Sequence, residues 1–240
     1  MKPWPLLLLL FISLGAAAQE NGPHPFDARY QAKALGLSAS ATRRQSVTGE
    51  DTILLENRIS LTILGANIGT VVEASEFRWQ QDHVLPLHYR YDQSGISSSH
   101  ESIAFDWEQN QAHSRSDDEN WDLDISSGVL DKLSYSVQLA QDLQQTNGSE
   151  FHYRVLDEDE IKEQTYRVLA EEVLNTPLGK LNTVKVERVR EDDSPRSTTV
   201  WLARDWDYLL VRLEQVSRSG TKTELMLESA TVAGKELKGL

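Results

Sequence analysis

The 240-residue sequence has no cysteine. This absence excludes disulfide bonds, thiolate metal sites and cysteine nucleophiles. It also excludes the class of exported lipoproteins whose acyl chains are attached to a cysteine. A chain of this length can nevertheless bury a hydrophobic core large enough to stabilise an exported protein without disulfides.

Basic side chains are scarce relative to acidic ones, with 24 Lys and Arg against 37 Asp and Glu, which gives a formal net charge of −13. An acidic surface repels the phosphate backbones of nucleic acids and the head groups of anionic lipids. The composition therefore predicts no nucleic-acid binding, and the simplest role of the charge is to keep the protein soluble.

Long apolar runs are missing except at the N-terminus. There, Lys2 precedes the apolar run 6–14, and alanines at 16–18 supply the small residues that a signal peptidase requires. We therefore predict a signal peptide over residues 1–18. A retained membrane anchor is the alternative, but the run is about half of the ~20 apolar residues that a membrane-spanning helix needs. Residues 19–240 are then predicted to form a single β-rich domain in the periplasm, with no transmembrane anchor after cleavage.

Apolar and polar residues alternate through much of the remaining chain, with the period of two that is typical of strands with one buried face. Glycines that favour turns separate these segments, for example Gly49, Gly65 and Gly179. One-sided strands indicate antiparallel sheets, because buried parallel strands are apolar on both faces. The clearest apolar sets are Ile59, Leu61 and Ile63; Leu85, Leu87, Tyr89 and Tyr91; Ile103, Phe105 and Trp107; Phe151, Tyr153 and Val155; Val184 and Val186; Leu209, Val211 and Leu213; and Leu225 and Leu227.

One segment, residues 129–148, has a helical period instead. Its apolar stripe consists of Leu130, Leu133, Val137, Ala140 and Leu143. We predict that Ser126 or Ser127 caps the start of this helix and that Asn147-Gly148 ends it. Together the patterns predict an all-β, mainly antiparallel fold in which a strongly curved sheet or open barrel wraps around one central α-helix.

The stretch VWLARDWDYLLVRLEQ, residues 200–215, raises a functional question because it gathers two tryptophans and two aspartates. Alternation stops after Arg204 and resumes at Leu209, so we interpret Asp205-Trp206-Asp207 as the connection of a β-hairpin, where aspartates bond nearby backbone N–H groups. Two other interpretations stay open. Trp201 or Trp206 could line a ligand site, or the two aspartates could act as the paired carboxylates of a glycosidase-type site.

No motif predicts a metal, a cofactor or a catalytic residue. Asp118, Asn120 and Asp122 have the spacing of a calcium loop, but Leu123 stands where glycine is needed, so we predict only an acidic loop. The acidic run 157–163 is predicted to be a solvated turn between strands. The six histidines form no close zinc pair and are predicted to lie scattered on the surface.

Several spaced segments resemble one family of exported Gram-negative proteins, catalogued as domain of unknown function 3108. They are FDARYQAKALGLSASA, LGANIGTV, HVLPLHYRY, DKLSYSVQLAQDL, TPLGKLNTVKVERV and VWLARD, and they extend from about Phe26 to about Val232. Lys132 and Leu210 depart from the family pattern, which has proline at both positions. The resemblance implies a periplasmic, mostly antiparallel β protein with a strongly curved sheet, similar to the open barrels that carry lipoproteins across the periplasm. It implies no activity, because the family has no assigned active residue.

These observations support three hypotheses. The first is a non-enzymatic periplasmic protein that binds an apolar or amphipathic ligand, such as a lipid, in a concave β pocket. The second is a structural or interaction protein that maintains the cell envelope by binding an envelope protein through an exposed strand edge. The third is an envelope hydrolase that uses the Asp205/Asp207 region. For the first, we predict that aromatic side chains on or near strands contact the ligand, although they could instead fill the core: Trp79, Tyr89, Tyr91, Trp107 and Trp201.

Overall fold

The computed structural model of the protein describes residues 22–34, 37–95, 97–190, 194 and 196–240. The predicted signal peptide lies outside these residues. The described chain forms strands β1 to β16 and one helix, α1, between β9 and β10. Their bounds are β1 Phe26–Ala34, β2 Leu37–Val47, β3 Thr52–Ile63, β4 Ala66–Gln80, β5 His83–Gly95, β6 Ser99–Asp106, β7 Gln111–Ser116, β8 Glu119–Asp124, β9 Val129–Leu130, α1 Tyr135–Gln145, β10 Glu150–Asp157, β11 Glu160–Thr176, β12 Gly179–Val189, β13 Ser197–Ala203, β14 Leu209–Val216, β15 Lys222–Val232 and β16 Lys235–Glu236.

The strands form a single 16-stranded sheet in the order β8-β7-β6-β5-β4-β3-β2-β1-β15-β14-β13-β12-β11-β10-β9, with β16 paired to β15. The predicted mainly antiparallel β fold is confirmed, and β9–β10 is a parallel pair. The sheet is not closed, because β8 and β9 stand at its two edges without pairing with each other. Among the described residues, no helix has the length and apolar character needed to span a bilayer.

Chain connectivity brings the two edges of the sheet close together. Strand β8 ends at Asp124 and β9 begins at Val129, so only residues 125–128 connect the first edge to the last. That connection spans at most about 20 Å. A flat sheet of the same strands would place the edges about 65 Å apart, since neighbouring strands lie about 4.8 Å apart. The sheet must therefore curve until its edges nearly meet.

The helix starts later than its sequence pattern predicts. Its N-cap is Ser134, and the prediction of Ser126 or Ser127 as the cap is wrong. The reason is that Val129 and Leu130 have helical spacing but pair as a strand with Arg154 and Val155 of β10. The predicted end is nearly right, because the C-cap residue, Thr146, directly precedes Asn147-Gly148.

The buried side chains form two hydrophobic clusters. The first, the helix cluster, joins α1 to strands from both halves of the sheet, from β3 to β7 and from β9 to β13. Val137, Leu139 and Leu143 contribute the helix side of it. The second, the strand cluster, packs side chains of β1, β2 and β12 to β15 around Leu237, near the C-terminus. Helix α1 is thus fixed by apolar packing around much of its circumference, and Gln144 and Gln145 at its C-terminal end are its exposed residues.

Two predictions about acidic segments have different outcomes. The predicted turn in the run 157–163 is right only for residues 158–159, which join β10 to β11, because residue 157 and residues 160–163 belong to those strands. The predicted acidic loop at residues 117–124 is wrong, because after a turn at 117–118 the chain forms strand β8. This strand pairs along its whole length with β7. Its half-buried positions, Trp121 and Leu123, alternate with exposed polar ones because successive side chains of a strand point to opposite faces.

Candidate functional site

A cavity of about 760 Å³ lies between the start of α1 and the inward face of a broad part of the sheet, from β5 through β1 to β14. Its walls are mainly apolar, with Ile59, Leu61 and Val71 on one side and Leu213 and Leu225 on the other. This volume falls within the range of about 300–1,000 Å³ that is usual for small-molecule sites. We refer to it as the larger chamber.

The larger chamber exists because the inward positions of β1 and β2 carry small side chains. Ala32 lies opposite Ala39, and Ala39 lies opposite Leu61, so these three residues form one row across β1, β2 and β3. Two of the three side chains are methyl groups, and they leave space that bulkier residues would fill. In the next row Ala41 stands between Tyr30 and Ile59. Protein interiors are normally packed to the density of organic crystals. The alternating alanines of β1 and β2 therefore leave the space that forms the chamber.

A second cavity, of about 130 Å³, adjoins the first, and we call it the smaller chamber. It is lined by the middle of α1, by β12 and β13, and by the turn that follows β13. Five residues line both chambers, so the two meet where these side chains lie: Arg43, Tyr135, Ser136, Leu210 and Leu213. The Tyr135 ring stacks on Tyr166 at 5.1 Å between centroids, which braces α1 against β11 at this junction.

Arg43 is the one cation among the residues that line both chambers. Its guanidinium donates from Nη2 to Ser136 Oγ at 2.6 Å and from Nη1 to Asn57 Oδ1 at 3.2 Å. Both partners are neutral. Burial lowers the pKa of Arg43, and its neighbours Tyr30, Tyr135 and Glu73 oppose that shift. Because arginine begins with so high a pKa, the side chain remains charged at neutral pH.

Asn57 connects Arg43 to a buried carboxyl. Its Nδ2 donates to Glu73 Oε2 at 3.3 Å, and the hydroxyl of Tyr89 donates to Glu73 Oε1 at 2.9 Å. Burial raises the pKa of Glu73, and the nearby Asp131 adds to this shift, while hydrogen bonds from Tyr89 and Asn57 and the charge of Arg43 oppose it. An amide therefore separates the cation from a carboxyl whose charge the interior disfavours.

Two further charged residues hold the segment that precedes α1. Asp131 is fully buried and accepts hydrogen bonds from Ser75 Oγ at 2.6 Å and from the backbone N–H groups of Leu133 and Ser134. Lys132 follows directly in the chain, and its ammonium lies 5.5 Å from the centre of the Tyr89 ring. These contacts fix the segment before α1 to β4 and β5, and they position the helix start at the chamber junction.

The charge of Lys132, unlike that of Arg43, is compensated by direct contact. Its Nζ bonds the carboxylate of Glu101 and lies 3.3 Å from Asp157 Oδ1. Lys132 and Arg43 both line the larger chamber, yet among the residues that the structure describes only Lys132 has carboxylate partners within bonding distance. The two cations therefore differ in what they can offer to a bound molecule.

The structure places four of the five predicted aromatic residues around the helix cluster. Tyr89 belongs to it, and Trp79, Tyr91 and Trp107 pack against it. Trp107 lies in the turn after β6, stacks on Phe105 at 5.8 Å and donates its indole N–H to Pro86 O at 2.6 Å. None of the four lines either chamber, and Tyr89 reaches the site through its bond to Glu73.

Trp201 lies apart from the other four. Its indole N–H bonds the carboxylate of Glu172, and its ring lies between Lys185 Nζ at 5.0 Å and Arg212 Cζ at 4.8 Å. The neighbouring side chains Val200 and Leu202 line the smaller chamber, whereas Trp201 lines neither. Ligand contact by any of the five aromatic residues stays a prediction.

The predicted hairpin at Asp205-Trp206-Asp207 is confirmed, with β13 and β14 as its strands. Each aspartate already has a partner, since Asp205 accepts from Asn182 Nδ2 at 2.7 Å and Asp207 bonds His24 Nδ1 at 2.8 Å. Trp206 and Asp207 also line the smaller chamber. The turn thus closes one end of that chamber and ties it to the N-terminal segment.

The histidines lie on the surface, as predicted. His24, His83, His88, His100, His113 and His152 are all exposed. Across the described part of the chain, no group of three or more His, Asp or Glu side chains could hold a metal ion.

Comparison with known proteins gives a family and a fold. Residues 26–228 match the model of a family described as "Protein of unknown function (DUF3108)", which confirms the resemblance seen in the motifs. Among curated proteins, no sequence matches. A solved structure that is similar is the beta-barrel-like protein of domain of unknown function DUF1849 from Brucella abortus, with a TM-score of 0.58 and 10% identity over 88% of this chain and 98% of that chain. A protein with a YmcC-like fold from Bacteroides fragilis has a TM-score of 0.39 and 10% identity over 88% of this chain and 97% of that chain, so the likeness of fold rests on the Brucella protein.

Proposed function

The chain belongs to the DUF3108 family, and from that premise we propose that it is a non-enzymatic periplasmic protein that holds an apolar or amphipathic ligand in the larger chamber. In this proposal residues 1–18 are removed on export, and residues 19–240 act as one β-rich domain. The observation that carries the proposal is an apolar-walled cavity of about 760 Å³ next to the helix. A water-filled space with such walls is unfavourable, and an apolar ligand would remove that cost.

The architecture supports a container for a ligand. The sheet curves until its edges nearly meet, and we propose that it wraps around α1, with the helix filling one part of the interior and the ligand another. The helix cluster fills the part near β5, β10 and β12. The alanine rows of β1 and β2 face the part that is left open.

The first experiment is native mass spectrometry of the full chain purified from a periplasm. We expect an additional mass that organic extraction removes, and we expect monopalmitoylglycerol or palmitate to raise the Tm of the extracted protein. Ala41→Phe, which places a ring in the larger chamber, should abolish the Tm rise. Ser229→Phe on an exposed position of β15 is the matched control and should retain it.

Two results would contradict the proposal. One is a protein that carries no apolar molecule from the periplasm and gains no stability from either compound. The other is a folded Ala41→Phe variant that binds as well as the wild type, since a ring at that position would obstruct the larger chamber.

A further inference from the structure

We infer that the ligand of the larger chamber carries an anionic group at one end of its apolar chain, and that Arg43 binds this group. The inference rests on the proposed function and names the chemical class of its ligand. That class is a single-chain anionic amphipath, ending in a carboxylate or a phosphate.

The position of Arg43 favours this assignment. It lies where the larger and smaller chambers meet, so a chain lying along Ile59, Leu61 and Leu225 can bring its end to the guanidinium. Its hydrogen bonds to Asn57 and Ser136 hold the guanidinium in one orientation and leave further N–H donors. The guanidinium is planar, and two of its N–H groups can bond two oxygens of a carboxylate or a phosphate at once.

The charge balance around Arg43 also favours an anion. An enclosed cation is costly unless a negative charge lies in contact with it. Lys132, which also lines the larger chamber, has Glu101 and Asp157 in contact, whereas the hydrogen bonds of Arg43 among the described residues go to an amide and a hydroxyl. Glu73 is hydrogen-bonded to Asn57 rather than to Arg43, and although the charges of Glu73 and Arg43 attract each other, burial disfavours the charge on Glu73. A ligand anion would supply the direct contact that Arg43 lacks.

A second arginine lies beyond Arg43 along the same path. Arg188 lines the smaller chamber on the side of Tyr166. The smaller chamber therefore has two arginines in its lining, against one carboxylate, Asp207. The larger chamber also has two cations, Arg43 and Lys132, but carboxylates already compensate the charge of Lys132. We therefore place the apolar chain along the aliphatic walls of the larger chamber, with its anionic end at Arg43 and toward Arg188. The strongly acidic surface would not attract such a ligand, so its binding depends on these interior cations.

The test uses three ligands with the same acyl chain: palmitate, palmitoyl lysophosphatidic acid and the neutral monopalmitoylglycerol. Binding to the extracted full chain is measured by titration calorimetry. We expect the wild type to bind at least one anionic ligand about tenfold or more tighter than the neutral one, and which of the two binds identifies the source of the anion. Arg43→Gln should remove that preference and leave the neutral affinity within about threefold.

Two variants serve as controls. Arg44→Gln makes the same change on the adjacent residue, whose exposed guanidinium bonds Asp27, and should keep the preference. Arg43→Lys keeps the charge without the planar fork and should retain part of it. Binding of monopalmitoylglycerol by Arg43→Gln also shows that this variant is folded.

The possible results separate the inference from the proposed function. If the wild type binds the neutral ligand as tightly as both anionic ones, the inference is wrong and the proposed function stands. If Arg43→Gln lowers the affinity for all three ligands equally, Arg43 only shapes the chamber and the inference is again wrong. If none of the three ligands binds the wild type, the inference and the proposed function both fail.

Discussion

Arg43 on β2 and Asn57 on β3 are direct partners across the sheet, and the guanidinium Nη1 donates to Asn57 Oδ1 at 3.2 Å. Asn57 in turn donates to Glu73 on β4, so a neutral amide occupies the place where a carboxylate would form an ion pair. An amide can accept from one neighbour and donate to the other, which a carboxylate cannot do. Among the described residues, this relay therefore leaves the positive charge of Arg43 without a counterion in direct contact.

Asn57→Asp should therefore compete with an anionic ligand. The new carboxylate would stand within bonding distance of Arg43 and provide the direct counterion from within the protein. We expect the affinity for palmitate or palmitoyl lysophosphatidic acid to fall about tenfold, while the affinity for monopalmitoylglycerol stays nearly unchanged. Asn120→Asp, an exposed change on β8, is the control in the same calorimetric titration. Unchanged affinity for the anions in Asn57→Asp would show that Arg43 does not hold the anionic end.

Filling the larger chamber should stabilise the protein where a similar change elsewhere destabilises it. Ala41 belongs to the strand cluster but also lines the larger chamber, so Ala41→Leu adds apolar volume to open space and we expect an unfolding free energy higher by about 1 kcal/mol. Ala28→Leu makes the same change on β1 at a fully buried position of the strand cluster and should cost about 1–3 kcal/mol by overpacking. Urea unfolding measures both. Equal destabilisation by the two variants would mean that the chamber closes in solution.

Much of the fold could be predicted from the sequence, because its buried faces follow a local period of two. The strands around Tyr89, Tyr153 and Leu213 were recognisable for that reason. Strand β4 was not, because its middle positions are half-buried on both faces and lose the alternation. Val129 and Leu130 fit the helical period of the residues that follow, and only a parallel partner distant in sequence, β10, makes them a strand.

The candidate site was harder to predict than the fold, because it depends on the register between strands. The alanines of β1 and β2 are visible in the sequence, but Ala32, Ala39 and Leu61 form one row only when three strands are aligned. The position of Arg43 in the sequence does indicate a candidate site residue. It continues the inward series of Ala39 and Ala41, so a charge stands on a face that should be apolar.

Trp201 should matter for stability more than for ligand binding. Trp201→Phe removes the bond to Glu172 and weakens the cation–π contacts with Lys185 and Arg212, so we expect a loss of about 1–3 kcal/mol in unfolding free energy. Palmitate affinity should stay within about twofold, because Trp201 lines neither chamber. A folded Trp201→Phe variant that fails to bind would place the ligand at Trp201, as the sequence pattern suggested.

Gly95 should tolerate no side chain. Its φ is +113°, and a Cβ there would lie 2.3 Å from the carbonyl oxygen of Ile68. We expect Gly95→Ala to cost about 3 kcal/mol or more, from backbone strain together with this clash. Gly65→Ala is the control, because Gly65 also has a positive φ but nothing within 4 Å of its Cβ position, so only about 1 kcal/mol is expected. Similar Tm changes in the two variants would contradict the close approach of β4 and β5 at Gly95.

Asp131 should make the stability of the protein depend on pH in an unusual direction. Burial raises its pKa, and hydrogen bonds from Ser75, Ser134 and Leu133 oppose that shift only in part. Since the folded state prefers the protonated form, this stabilising contribution is complete below the ordinary aspartate pKa of about 3.9 and is lost as the pH rises through the raised value. Asp157, whose pKa is lowered, contributes in the opposite direction, so the total stability does not isolate Asp131.

The comparison with Asp131→Asn isolates it. The amide keeps an oxygen for the N–H groups of Leu133 and Ser134 and can donate to Ser75 Oγ, so the variant should fold. We expect its unfolding free energy, relative to the wild type, to increase from pH 4 to pH 7, as measured by urea unfolding at a series of pH values. Asp118→Asn, the same change at an exposed turn, is the matched control. A flat difference for Asp131→Asn would mean that Asp131 is ionised at low cost, because water or a cation reaches it in the folded protein.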